Sequence, residues 1–140
     1  MTYHFKIHDG KIPWAECVEL EGCVTQGKSG VELAKNMREA LGLYLMEPEG
    51  SKVIFPAPRP KIRGAGIVDV EVEPSVAFSV QLRHLRLRSG LTQAEAARRL
   101  GMNSLYSYQR LERSPNPSLS MMKNVKRVFP ELSVDQALGE

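Results

Sequence analysis

A chain of 140 residues can form one ordinary domain or two very small ones, and 42% hydrophobic with 25% charged residues is a globular composition, neither disordered nor fibrous. No run of about 18 apolar residues exists to span a membrane, and the opening "MTYHFKIHDGKIPWAE" lacks the basic end and apolar core of a secretory signal, so a cytoplasmic protein with no membrane partner is expected. The net charge of +3 is unevenly spread, with nine Lys/Arg against eleven Asp/Glu in residues 1–74 but ten against five in residues 75–140, which suggests two modules, one of them facing a polyanion.

In chain order, "YHFKIH" alternates Tyr3, Phe5 and Ile7 on one side, as a half-buried strand does, and Asp9-Gly10 is a turn. "WAECVEL" is the second predicted strand, with Trp14, Glu16, Val18 and Leu20 on one face and Ala15, Cys17 and Glu19 on the other. Glu21-Gly22 turns into a third, "CVTQG". Cys17 and Cys23 are too few for a disulfide framework and wrongly spaced for zinc, so both are expected to be reduced packing residues.

Ser29, three residues before Glu32, reads as a capping box that opens an amphipathic helix carrying Leu33, Met37, Ala40, Leu41, Tyr44 and Leu45 and stopping before Pro48. Three prolines in residues 56–60 make the next stretch an extended connection. "IVDVEVEP" then alternates strictly, with Val68, Val70 and Val72 opposite Ile67, Asp69, Glu71 and Glu73. Three strands, a helix and a strand imply a small α+β domain, a sheet with one face covered. It contains no Gly-rich phosphate loop, no metal-spaced histidines and no nucleophile elbow, so no catalytic residue, cofactor or metal is expected. His4, His8 and His84 are scattered, with no pair at ligand spacing.

Gly22, Cys23, Thr25, Gly27, Ala34, Asn36, Glu39, Ala40, Leu41, Tyr44 and Leu45 follow, in order, a pattern that resembles the HicB antitoxin family over residues 1–75. Val18-Glu19-Leu20-Glu21 replaces the usual aromatic-proline-proline run, and Lys28-Ser29-Gly30 the common acidic-Thr cap. The resemblance implies a partial RNase H-like sheet, without nuclease carboxylates, that masks a small HicA-like toxin. Trp14, Glu16, Glu19 and Glu21 are then the candidate toxin contacts, and an acidic module suits a basic RNA-gripping protein. Ordinary surface solubility is the competing reading of these carboxylates, together with Asp69, Glu71 and Glu73.

The second half reads as helices. "SVAFSVQLRHLRLRSG" carries Val76, Val80, Leu82, Leu85 and Leu87, begins near Pro74 and ends at Gly90. Thr92 with Glu95 caps a helix containing Ala94, Ala97 and Leu100, and Gly101 stops it. Asn103-Ser104 begins a third, with Tyr108 and Leu111 inward. Ser118 starts a fourth, with Leu119, Met122, Val125 and Phe129 inward, and Ser133 opens a short last turn. Small residues at Ala94 and Ala97 would let two helices cross closely, as in a helix-turn-helix.

Leu91, Thr92, Gln93, Glu95, Ala97, Leu100, Gly101, Leu111, Glu112, Pro117 and Leu119 resemble the Cro/repressor-like group over residues 79–130, with one residue more than the commonest spacing between Gly101 and Glu112. That likeness implies an all-α helix-turn-helix domain whose third helix enters the major groove. Gln93 lies at a helix start near phosphate. Asn103, Ser104, Tyr106, Ser107, Gln109 and Arg110 are the outward candidates, Gln109 and Arg110 being able to make bidentate base contacts. Arg98, Arg99, Arg113 and Lys123 suit phosphates, while Glu112 is expected to pair with an arginine.

The sequence therefore predicts a toxin-binding domain at 1–73 and a DNA-binding domain at 74–140. The expected protein is an antitoxin that neutralises a HicA-like mRNA-cleaving toxin and, as a homodimer or higher oligomer, represses its own operon at double-stranded operator DNA. The alternatives are a plain repressor whose first domain senses a ligand or oligomerises, and an RNase H-like nuclease, disfavoured because no carboxylate cluster is convincing.

Overall fold

The computed structural model describes residues 1–46, 51–113 and 115–138. The chain divides into two compact units, the first of residues 1–46 with 55–73 and the second of residues 74–138 with 51–54.

The first unit is a four-stranded antiparallel sheet with one helix. The strands are β1 (Thr2–His8), β2 (Trp14–Cys17), β3 (Val24–Gln26) and β4 (Ile67–Glu71), in the order β3-β2-β1-β4, and the helix is α1 (Gly30–Leu45). Phe5 sits opposite Cys17 on one side and Val68 on the other, and Tyr3 opposite Val70. Cross-strand partners share a face, so Tyr3, Phe5, Ala15, Cys17 and Val70 are buried together on the side where α1 lays Leu33, Met37, Leu41 and Leu45. Both thiols are free and buried; burial pushes Cys17 up to about 11 and Cys23 up to about 12, so neither is a ready nucleophile.

The residues that carry the HicB-like pattern have local jobs. Gly22 has φ +82°, which turns the chain after Leu20. A Cβ on Gly27 would lie 2.5 Å from the Leu33 backbone nitrogen, so only glycine lets β3 pass the first turn of α1. Asn36 donates to the Gln26 carbonyl at 2.7 Å and Tyr44 to the Glu21 carbonyl at 2.6 Å, pinning α1 to β3 and to the preceding turn. Ser29 accepts from the Glu32 amide, but the Glu32 carboxylate takes the Lys28 amide rather than that of Ser29, so the predicted capping box is half made.

One expectation needs correction and another is extended. The second strand ends at Cys17 rather than Leu20, because the Glu19 side chain folds inward. The proline-rich connection also does more than connect. Phe55 is buried with its ring 5.3 Å from that of Tyr44, the Pro56 carbonyl accepts from the Tyr3 hydroxyl at 2.8 Å, and the Arg59 amide donates to Glu19 at 3.1 Å. The helix α1 ends at Leu45 with Met46 as its C-cap, so it stops before Pro48 as expected.

The second unit is helical: α2 (Pro74–Arg88), α3 (Gln93–Arg99), α4 (Leu105–Arg113), α5 (Leu119–Val128) and α6 (Val134–Ala137). Its core joins Phe78, Leu82, Leu91, Ala96, Ala97, Leu100, Tyr108, Leu111, Val125, Phe129 and Leu132. Mixed α+β followed by all-helical is the fold class that the sequence predicts. In detail, Ala96 rather than Ala94 accompanies Ala97 into the core, and Ala94 is exposed. Leu119 is 85% exposed, not inward. At 100° per residue it points well away from Val125, the buried centre of α5.

Candidate nucleic-acid interface

Positive-φ glycines punctuate this unit. Gly90 (φ +69°) follows α2 and Gly101 (φ +68°) ends α3, where its amide bonds to the Arg98 carbonyl. Between them the capping box at Thr92 is complete: its hydroxyl accepts from the Glu95 amide at 3.1 Å, and the Glu95 carboxylate accepts from the Thr92 amide at 3.2 Å. Hydrogen bonding to its carboxylate from the Thr92 amide, and from the Thr92 side chain, with Arg98 and Arg99 nearby, holds the Glu95 carboxyl below its ordinary pKa. Ser104 caps α4 in the same way, accepting from the Ser107 amide at 3.1 Å.

A buried ion pair fastens α4 to α2. Arg86 gives Glu112 two bonds, from Nε at 2.7 Å and Nη2 at 3.0 Å, and its Nη1 donates to the Leu91 carbonyl. Burial works to lower the Arg86 pKa, but the Glu112 carboxylate outweighs it and the guanidinium stays charged. Burial and the Glu112 charge raise that of Tyr108. Glu112 thus pairs with an arginine, as the sequence predicts. Since Glu95 is held in its capping box, both acids of residues 75–130 are engaged, and the exposed charge there is arginine and lysine.

Residues 77–122 match a family model described as a helix-turn-helix domain, and no curated protein matches the chain. Residues 77–122 of the second unit form a helix-turn-helix domain. Such a domain suggests a DNA-binding regulator.

Within the helix-turn-helix, the predicted DNA contacts fall on α3, on α4 and in the turn between them. Arg98, Arg99, Asn103, Ser104, Tyr106 and Arg110 are exposed, while Gln93, Ser107 and Gln109 are half-buried. Gln109 donates to Gln93 at 3.2 Å, linking the start of α3 to the face of α4. The Ser104 and Ser107 hydroxyls lie 2.9 Å apart, and that of Ser104 is committed to its cap, which leaves it poorly placed to read a base. Arg127 donates to the Arg99 carbonyl and Asn124 to the Leu100 carbonyl, so α5 satisfies the C-terminal end of α3. Leu105, 43% exposed at the start of α4, belongs to this surface and was absent from the predicted set. The only signal for it was adjacency to Tyr106.

The four predicted toxin contacts separate. Trp14 and Glu16 lie on the sheet face that α1 leaves open. There the Trp14 ring stacks on His8 at 4.2 Å, and Glu16 reaches His8 Nε2 at 3.3 Å. Glu21 is exposed in the turn. Glu19 is removed from the set: its buried carboxylate takes the His4 amide at 2.9 Å, His4 Nδ1 at 2.8 Å and the Arg59 amide, so no oxygen is offered outward. Among the described residues, no group of three or more His, Cys, Asp or Glu could hold a metal ion, and no helix is long and apolar enough to cross a membrane.

Proposed function

We propose that the protein is an antitoxin and autorepressor, not an enzyme. Its first unit, residues 1–73, masks a small basic mRNA-cleaving toxin of the HicA kind, and its helix-turn-helix, residues 74–140, binds operator DNA of its own operon as a dimer or higher oligomer. One observation carries the toxin half of this reading. The open sheet face sets the exposed Trp14, stacked on His8, beside the carboxylate of Glu16, which reaches the same histidine. A large aromatic anchor beside a carboxylate, in a unit of net negative charge, suits a basic partner, because the ring supplies buried area and the charge steers the encounter. The test is co-expression of the full chain with a neighbouring gene encoding a basic protein of under about 100 residues. The two should co-purify and growth should be restored, whereas Trp14→Ala with Glu16→Lys should lose both while operator binding persists. Poisoned cells despite abundant folded wild-type protein would sink the reading.

A second reading, a repressor whose first unit senses a small ligand, is favoured by a cleft of about 580 Å³ lined by His4, Lys61, Arg63, Ile67 and Asp69 among others. That volume suits a small molecule, and its cations favour an anionic one. It predicts operator release by a metabolite and no toxin partner.

A further inference from the structure

We propose that Tyr106, with Leu105 beside it, reads thymine methyl groups in the operator, so that base preference at α4 is set partly by an apolar contact. This rests on the reading of α4 as the helix that enters the major groove. On α4 the buried residues Tyr108, Leu111 and Glu112 define the inner face. Successive residues advance 100°, so Tyr106 and Arg110, at i and i+4, lie on the opposite, outward side. Tyr106 is 60% and Leu105 43% exposed, while Arg110 is exposed one turn further on.

An aromatic ring and a leucine left in water on a short helix forgo the burial that both side chains favour. The surface around them is cationic, with Arg98, Arg99 and Arg110 exposed, so the occupant that complements it is a polyanion. The apolar group that the major groove of duplex DNA presents is the C5-methyl of thymine. One helical turn rises about 5.4 Å and base pairs stack about 3.4 Å apart. Tyr106 and Arg110 therefore meet base pairs one or two steps apart, and the half-site should carry a thymine within about two positions of the guanine that Arg110 contacts.

The experiment uses the full-length protein. Duplexes are first selected from a random pool, and each thymine of the enriched half-site is then replaced by deoxyuridine, which removes only the methyl group. One or two replacements should weaken binding about fourfold each, the worth of one buried methyl. Tyr106→Ala or Leu105→Ala should weaken binding to the thymine duplex, leave the deoxyuridine duplex unchanged and so abolish the difference. The side chains are exposed, so both variants should melt with the wild type. If no methyl matters, or the difference survives both substitutions, the proposal is overturned while DNA binding stands. If the substitutions instead change the oligomeric state in sedimentation, the patch is a contact between copies and the proposal is likewise overturned. A pool that yields no enriched duplex overturns the DNA-binding reading and this one with it.

Discussion

Single side chains make the helical unit respond to two different insults. Burial, aided by the charges of Arg83 and Arg88, pushes His84 down to about 4, whereas histidine in an unfolded chain titrates near 6.5. Between those values the unfolded state binds the extra proton. Stability should therefore fall as pH drops from about 6.5 to about 4 and level off below, with a loss of about 1–3 kcal/mol from this residue. Urea unfolding across that window should show the decline, and His84→Gln should flatten it. At the Arg86–Glu112 pair the insult is loss of a partner. Arg86→Met should cost about 3–5 kcal/mol because it strands a buried carboxylate, and adding Glu112→Leu should recover much of that loss. Equilibrium denaturation of the two variants measures both steps.

At the scale of elements, the close passage of β3 over the start of α1 is the most exacting contact in the first unit. Gly27→Ala drives a methyl into backbone that cannot move without shifting the helix, and should destabilise the first unit by about 1–3 kcal/mol in thermal unfolding while α2–α5 melt as before. Thr92→Ala removes half of a complete capping box and should cost the helix-turn-helix about 1 kcal/mol. The elements themselves were legible where a local period carried them. Leu33, Met37, Leu41 and Leu45 recur every four residues and mark α1, and Thr92 with Glu95 marks the start of α3. What stayed hidden depends on partners distant in sequence. Glu16 and Glu19 both break the alternation of "WAECVEL", and nothing local says which of them is buried: His4 and Arg59, 15 and 40 residues from Glu19, turn that side chain inward where β2 has ended. Phe55 likewise gave no periodic sign, because its partner Tyr44 lies 11 residues earlier, on α1. At the candidate interface, the outward face of α4 could be read from Tyr108 and Leu111, but the Gln93–Gln109 link joins two elements and has no local signature.

Over the whole molecule, charge divides the labour: a net −2 in residues 1–74 and +5 in residues 75–140. Operator affinity should fall steeply with salt, log K against log salt sloping by about −0.9 for each phosphate neutralised. Arg99→Ala should reduce that slope by about one phosphate and weaken specific and scrambled duplexes alike, while Arg110→Ala should relax preference at one base position. Anisotropy titrations at several salt concentrations separate the two. The pairing of β1 with β4 carries a consequence for the time course of synthesis. Tyr3 faces Val70 across the sheet, so β1, an interior strand, lacks one neighbour until the ribosome has released a chain well beyond residue 70. In the helical unit that follows, α2 waits for α4 and α6, a shorter stretch of chain than the one β1 waits through for β4. Nascent chains thus spend the longest interval with the open β1 edge exposed, and arrested chains ending before β4 should be cut by protease between residues 1 and 46 while chains arrested after α2 resist.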